Sequence, residues 1–549
     1  MDRDCRNQHK CGGAGCASAS RRRSIMFAVR FLAGLCLLVS LWACGGGGGD
    51  GVSEIPATDH TPPQLVITSP ADGAGDAAVQ RTVAAAFDED LDPATLDSSS
   101  FVVTDELGAP VVGRVAWDAQ ARVALFTPEA PFTPAASYTA NLTSAITDRA
   151  GNPLAPAAWT FSCVAPVSDF DEPSFWLDEG GSLAAVVTDH FRTGTGAILL
   201  DTGAAALEQQ VTSPPLFDFT LGPDESLKLW LYLPQVAEDH QLVLELRQSG
   251  VGNYARTELP ALAVDGWYCL TRTRSDFQLQ GLFDWGQSIE AINLRLTAQD
   301  LRADVQVYVD ALWVGGRDLP SVALTFDDGY QSDYTEVFPV LSEQGMTATS
   351  FLNTGFIGYF YALQPPQMDE MYGAGWEFGN HTANHYGLTE IPPEGWLSDL
   401  TAADDWLQEA GYLRGRQLLA FPYGEFATVD RQTIDAEVRA AGIAAARTVY
   451  SYPLETGSGR INPLRYPATV ELRTDTTLAE AKGAIDDAIR FGHSVVIYGH
   501  EIVAGPPGPY KWNRDDFAAL IDYLARQRGA HLLRVPSFGE LQAWLAPAP

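Results

Sequence analysis

Cysteine is scarce in this chain: seven occur in 549 residues, and only Cys163 and Cys269 follow residue 44. Two thiols in different candidate modules cannot build the disulfide framework of a small secreted scaffold, and they read as buried apolar side chains. Cys5, Cys11 and Cys16 lack the second half that a metal knuckle requires. Basic residues are also few, 35 Lys and Arg against 69 Asp and Glu, a formal charge of -34. Such a surface repels nucleic acid phosphates and offers no polybasic patch to an anionic membrane. No nucleic-acid partner is therefore expected, and a neutral polymer such as a glycan is easier to accommodate. Long apolar runs are missing as well, since the uncharged stretch Phe31 to Ala43 is short of the ~20 residues of a spanning helix.

That stretch carries an address instead. Arg21-Arg22-Arg23 precede it, and Leu41-Trp42-Ala43-Cys44 and the glycines Gly45 to Gly49 close it. A charged segment before a short apolar one is the pattern of a secretory signal, here residues 1–43, with Met26 as an alternative start. Leu41, Ala43 and Cys44 resemble a bacterial lipobox, with Trp42 an unusual occupant of its position. The resemblance implies acylation of Cys44 and a membrane tether of acyl chains rather than a helix. Gly45 in place of aspartate implies the outer membrane. The expectation is an exported, lipid-anchored envelope protein. Residues 44–60, rich in Gly, Asp, Ser and Pro, read as a flexible linker.

Three modules are expected after it. Over 61–166, short alternating segments such as Gln64-Leu65-Val66-Ile67, Phe101-Val102-Val103 and Val123-Ala124-Leu125-Phe126 lie between Asp/Gly/Pro turns, as an all-β sandwich requires. Ser69-Pro70-Ala71-Asp72-Gly73 and Asp148-Arg149-Ala150-Gly151-Asn152-Pro153 resemble a bacterial Ig-like repeat, a module that usually serves as a spacer. Over 167–317, runs such as Leu227 to Leu233 and Val305 to Asp310 again alternate with period two and predict a jelly-roll-like β-sandwich. Trp176, Trp230, Trp267, Trp285 and Trp313 are either core or a sugar-stacking platform, and core packing is the default inside strands.

From residue 318 to 549 strands and helices alternate. Apolar strands are predicted at 321–326, 347–352, 375–379, 417–421, 443–446, 493–498 and 531–535, an order that fits an α/β distorted (β/α) barrel of about seven strands. Chemistry in such a fold gathers at strand C-terminal ends, where Asp327, Asp328, Pro422, Tyr423 and His500 fall. Two adjacent acids are costly to keep ionised unless a cation sits between them. His381 and His385, four apart, complete a three-ligand shell with one acid, with zinc the first expectation. A lone Asp-Asp-Gly is also a common turn.

The ordered set is more specific. Thr325-Phe326-Asp327-Asp328-Gly329, His381-Thr382-Ala383-Asn384-His385, Phe421-Pro422-Tyr423-Gly424 and Val496-Ile497-Tyr498-Gly499-His500 resemble, in order, the motifs of the polysaccharide deacetylase family (NodB homology, carbohydrate esterase family 4). The resemblance implies that Asp328, His381 and His385 bind a divalent metal, zinc before cobalt, nickel or manganese. It further implies that Asp327 is the general base, that Tyr423 beside Pro422 holds the oxyanion, and that His500 is the acid. A carboxylate bound to a cation is a poor base, whereas its neighbour stays free to take a proton. The implied partner is an acetylated polysaccharide and the implied reaction is removal of N-acetyl groups from N-acetylhexosamine. An O-acetyl esterase acting on xylan-like glycan, or a non-catalytic glycan-binding lipoprotein, are the alternatives. Two features depart from the family. The arginine that often precedes Pro-Tyr-Gly is absent, leaving Arg447 or Arg465 as substitutes, and no acidic motif that would tune His500 is evident between Arg447 and Phe491.

Overall fold

The structure, a computed structural model, describes residues 59–78, 82–171, 176–178, 184–191, 194–202, 208–234, 240–259, 266–298, 305–316, 319–388, 390–426, 434–449 and 463–545. The expected signal segment, Cys44 and nearly all of the linker lie outside these residues. No helix among the described residues is long and apolar enough to cross a membrane.

Alternation and turn chemistry produce the first two modules. Leu65–Ser69, Val83–Phe87, Val123–Pro128 and Gly113–Asp118 form one four-stranded sheet, and Ala74–Ala77, Ala157–Cys163, Ser137–Leu142 and Phe101–Asp105 form another. Their inward residues, among them Phe87, Phe101, Phe126, Trp159 and Phe161, share one core. Two six-stranded sheets follow, one holding Glu208–Thr212, His240–Arg247, Tyr254–Leu259 and Ala291–Ala298, the other Leu227–Leu233, Gly266–Arg272 and Gln306–Val314. They enclose a second core of leucine, valine and isoleucine. Trp176, Trp230 and Trp313 are buried and Trp267 and Trp285 partly so, which makes packing their use. Cys163 and Cys269 are buried, as expected.

The C-terminal module is built on a parallel sheet of seven strands in the order Ala445–Arg447, Leu418–Ala420, Glu377–Asn380, Thr349–Leu352, Val322–Asp328, Val495–Gly499, Val470–Leu472. The sheet is an open curl rather than a closed ladder, and Arg447 makes one parallel bridge to Tyr466 across the gap. Six expected strands form. The seventh, 531–535, contributes a single bridge from Arg534 to Ser321, and Val470–Leu472 takes its place in the sheet. The apolar pattern of 531–535 is real but serves burial, because Leu533 and Val535 pack into the core below the sheet. Helices begin and end where the sequence allows: Leu478–Phe491 opens on a Thr477–Glu480 capping box and closes at Gly492 with φ 67°.

The modules are docked on one another. Arg534 pairs with Asp118 at 3.2 Å, Arg114 donates to the carbonyl of Ala543, and Ala84, Ala86, Val123 and Leu125 pack with Leu319. Arg490 pairs with Asp224 at 2.7 Å. The Ig-like module thus packs directly against the C-terminal module.

Candidate functional site

Asp327 and Asp328 end the strand Val322–Asp328, between Thr349–Leu352 and Val495–Gly499. Successive side chains on a strand point to opposite sides, and the two acids take different partners. Asp327 is 4% exposed and both its carboxylate oxygens accept from Nη2 of Arg447. Asp328, with φ 73°, turns to the imidazoles: its Oδ1 stands 3.6 Å from His381 Nε2 and 3.5 Å from His385 Nε2. Asn353 donates to the same oxygen at 2.7 Å.

Local hydrogen bonds shape the histidine loop. Asn380 Oδ1 accepts from the Thr382 N–H, Thr382 Oγ1 accepts from the His385 N–H, and Asp399 receives both the Asn384 N–H and its amide. Backbone held at positive φ, costly for residues with a side chain, gathers here. Of nine such non-glycine residues among those described, Asp328, Thr382, His385, Tyr423 and Tyr510 belong to this region. Gly424, with φ 72°, fits the turn after Tyr423, because a Cβ there would meet Val449 at 2.3 Å.

The three donors fit a cation. One ligand atom from each of Asp328, His381 and His385 lies within 4.8 Å of the others. His381 Nδ1 is 2.7 Å from the carbonyl of Ala420, so that nitrogen carries the proton and Nε2 keeps its lone pair. Burial, with the neighbouring His381, pushes the His385 imidazole down to about 4, so it is neutral at pH 7, as a ligand must be. For Asp327, burial pushes the carboxyl up, but the Arg447 guanidinium, aided by His381 and His500, outweighs it and holds the carboxyl below its usual range.

Arg447 therefore fills the place of the arginine missing before Pro422. Its guanidinium also lies 4.6 Å from the centre of the Tyr498 ring. Arg465 does not reach the acids; it pairs with Asp435 and lies 4.1 Å over the Phe426 ring. Pro422 is buried and fixes the turn, while Tyr423 is exposed, its ring 4.6 Å from that of His385. His500 follows the strand Val495–Gly499, whose Gly499 pairs with Phe326, and so stands beside Asp327. Its Nδ1 is 4.0 Å from Glu471 Oε1. Glu471, on the strand the sequence did not reveal, is the acid beside His500 that no motif announced. Trp376, Trp396 and Trp512 are buried and line no groove.

Residues 315–445 match the family model described as polysaccharide deacetylase, and residues 59–163 match that of a bacterial Ig-like domain. The poly-beta-1,6-N-acetyl-D-glucosamine N-deacetylase of Staphylococcus epidermidis is 33% identical over 118 residues, 19% of this chain and 40% of that protein. The peptidoglycan-N-acetylmuramic acid deacetylase PdaA of Bacillus subtilis is 36% identical over 81 residues, 15% of this chain and 29% of that protein. The chain thus spans less than half the length of these curated relatives. Among solved structures, a family 4 acetyl xylan esterase from Clostridium thermocellum, bound to cobalt, is 18% identical with a TM-score of 0.29, covering 41% of this chain and 94% of that one. A family 4 carbohydrate esterase from Streptomyces lividans, bound to acetate, is 18% identical with a TM-score of 0.27, covering 39% and 91%.

Proposed function

Residues 315–445 are a polysaccharide deacetylase domain, and from that premise we propose that the chain hydrolyses N-acetyl groups from N-acetylhexosamine residues of an extracellular or cell-envelope polysaccharide. The observation that carries the reading is the divergence of the two acids: Asp328 faces both imidazoles while Asp327 faces Arg447. Asp328, His381 and His385 would hold a divalent metal, zinc first by their donor chemistry. Such an ion supplies Lewis acidity to the acyl oxygen and to water. Asp327, kept ionised by Arg447, takes the proton of the attacking water. Negative charge on the former carbonyl oxygen is met by the backbone N–H of Tyr423. His500, with Glu471 4.0 Å from its Nδ1, gives its proton to the departing amine, which leaves badly without one. Asp327 and His500 thus handle one proton each.

Export and lipidation at Cys44, with the protein on the periplasmic or the outward face of the outer membrane, complete the proposal, and a jelly-roll-like sandwich over 167–317 would hold the catalytic module against its polymer. The test is metal content and acetate release side by side. Asp328→Ala should lose bound metal, and Asp327→Asn should keep it and lose turnover. Metal lost equally from both variants contradicts this division of roles. Mass spectrometry of defined acetylated oligomers separates amide from ester specificity.

A further inference from the structure

We propose that the segment Tyr359-Phe360-Tyr361 is a glycan-gripping platform that binds sugar rings beyond the one being deacetylated, so that the enzyme prefers long chains. The inference rests on the deacetylase reading and adds to it the length and polarity of the substrate. Exposed aromatic rings are not scattered over the C-terminal module. Among its described residues they are Tyr359, Phe360, Tyr361, Tyr386, Tyr423 and Tyr510, and the last three adjoin residues of the site directly. Tyr386 follows the ligand His385, the Tyr423 ring touches His385, and the Tyr510 ring lies 5.7 Å from that of His500. Phe360 is 87% exposed and Tyr359 55% exposed, unusual for rings that a monomer has no structural need to display.

The platform is also held firmly. Its backbone is strapped to the residues that follow the paired acids: the Leu363 N–H donates to the Gly329 carbonyl at 3.0 Å and the Gln331 N–H to the Tyr361 carbonyl at 2.8 Å. Gln364 donates its side-chain amide to the carbonyls of Tyr359 and Ala362. The rings support one another, Tyr359 and Tyr361 at 5.9 Å and Phe360 edge-on to Tyr361 at 5.3 Å. Rings fixed in advance lose little freedom on binding, and their faces suit the apolar C–H faces of pyranoses. The charge of -34 over the chain disfavours an anionic polymer or anionic lipid and leaves a neutral glycan as the occupant.

The experiment compares the full chain with its Tyr359→Ala/Phe360→Ala form on β-linked N-acetylglucosamine oligomers from dimer to hexamer. The ratio of kcat/KM on hexamer to that on dimer should fall roughly tenfold, equivalent to about 1.4 kcal/mol. A retained ratio overturns the proposal. So does co-sedimentation of the parent protein with phosphatidylcholine vesicles that the double substitution abolishes, because the rings would then be serving a lipid surface. If the parent releases no acetate from any oligomer, the deacetylase reading fails by itself. Calorimetric titration of hexamer into Asp327→Asn protein, with and without the double substitution, then decides: roughly tenfold weaker binding upholds the platform, and equal binding overturns it.

Discussion

Replacing Arg447 with methionine removes the cation that the two Asp327 oxygens share, and the consequence can be followed in pH. In the folded protein burial raises the Asp327 carboxyl, and Arg447, with help from His381 and His500, lowers it by more. A depressed folded value means that the pairing contributes its full stability above the unfolded value of about 3.9 and loses it as pH falls through the folded value. In Arg447→Met the sign reverses. Burial, the largest influence, then faces His381 and His500 without Arg447, the folded value rises above the unfolded one, and the variant recovers stability as acid neutralises Asp327. Stranding a buried carboxylate costs about 3–5 kcal/mol at neutral pH. Guanidinium denaturation of EDTA-treated protein at about pH 8, 6 and 4.5 should show that deficit at the first and its narrowing at the last. With metal restored, the acid limb of kcat/KM should move to higher pH, because Asp327 must be ionised to take a proton. A deficit equal at all three values, with an unmoved limb, refutes Arg447 as the counter-ion. Arg447→Lys should keep the limb near its original place and lose part of the stability, since an ammonium lacks the planar guanidinium that also donates through Nη1 to the Thr448 carbonyl and lies over the Tyr498 ring.

Other outcomes follow from neighbouring contacts. Glu471→Gln should lower kcat roughly ten- to a hundredfold with KM little changed, a share of what a positioned acid supplies; an unaltered kcat beside an inactive His500→Ala would remove Glu471 from the mechanism. His493 is buried beside Lys228, and burial first, then that cation, pushes it down to about 3. It stays neutral in the folded state while the unfolded chain takes up a proton below about 6.5, so stability should fall by about 1.4 kcal/mol per pH unit between those values. His493→Phe should remove that share of the slope, and an identical slope in both proteins would contradict it. Asp118→Ala should cost about 3 kcal/mol in chemical denaturation, because Arg534 is buried and would be left without this partner.

What was legible in the sequence was local. Asp327-Asp328, His381-x-x-x-His385 and His500 carry their chemistry in residue type and spacing, and strand ends locate them on one rim. Asn353 and Glu471 were not legible, because each belongs to a different strand or strand end and meets Asp328 or His500 only when the sheet assembles. The choice between Arg447 and Arg465 needed the curl of the sheet, since both are buried and both find an acid. Val470–Leu472 is three residues long, too short for an alternation to register. The run at 531–535 misled for the opposite reason, being apolar enough for a strand yet placed where the core needed closing. The aromatic triplet at 359–361 looks unremarkable in sequence and acquires meaning only through the Gly329 and Gln331 straps.

The docking of Arg534 on Asp118 has a mechanical consequence. Arg534 bridges to Ser321, and the strand beginning at Val322 ends in the two acids. A pull applied through the Ig-like module would therefore reach the foot of the strand that carries Asp327 and Asp328. Strain along that strand would be felt at Asp327 and Asp328, which makes turnover under load a property that the attachment of this module sets.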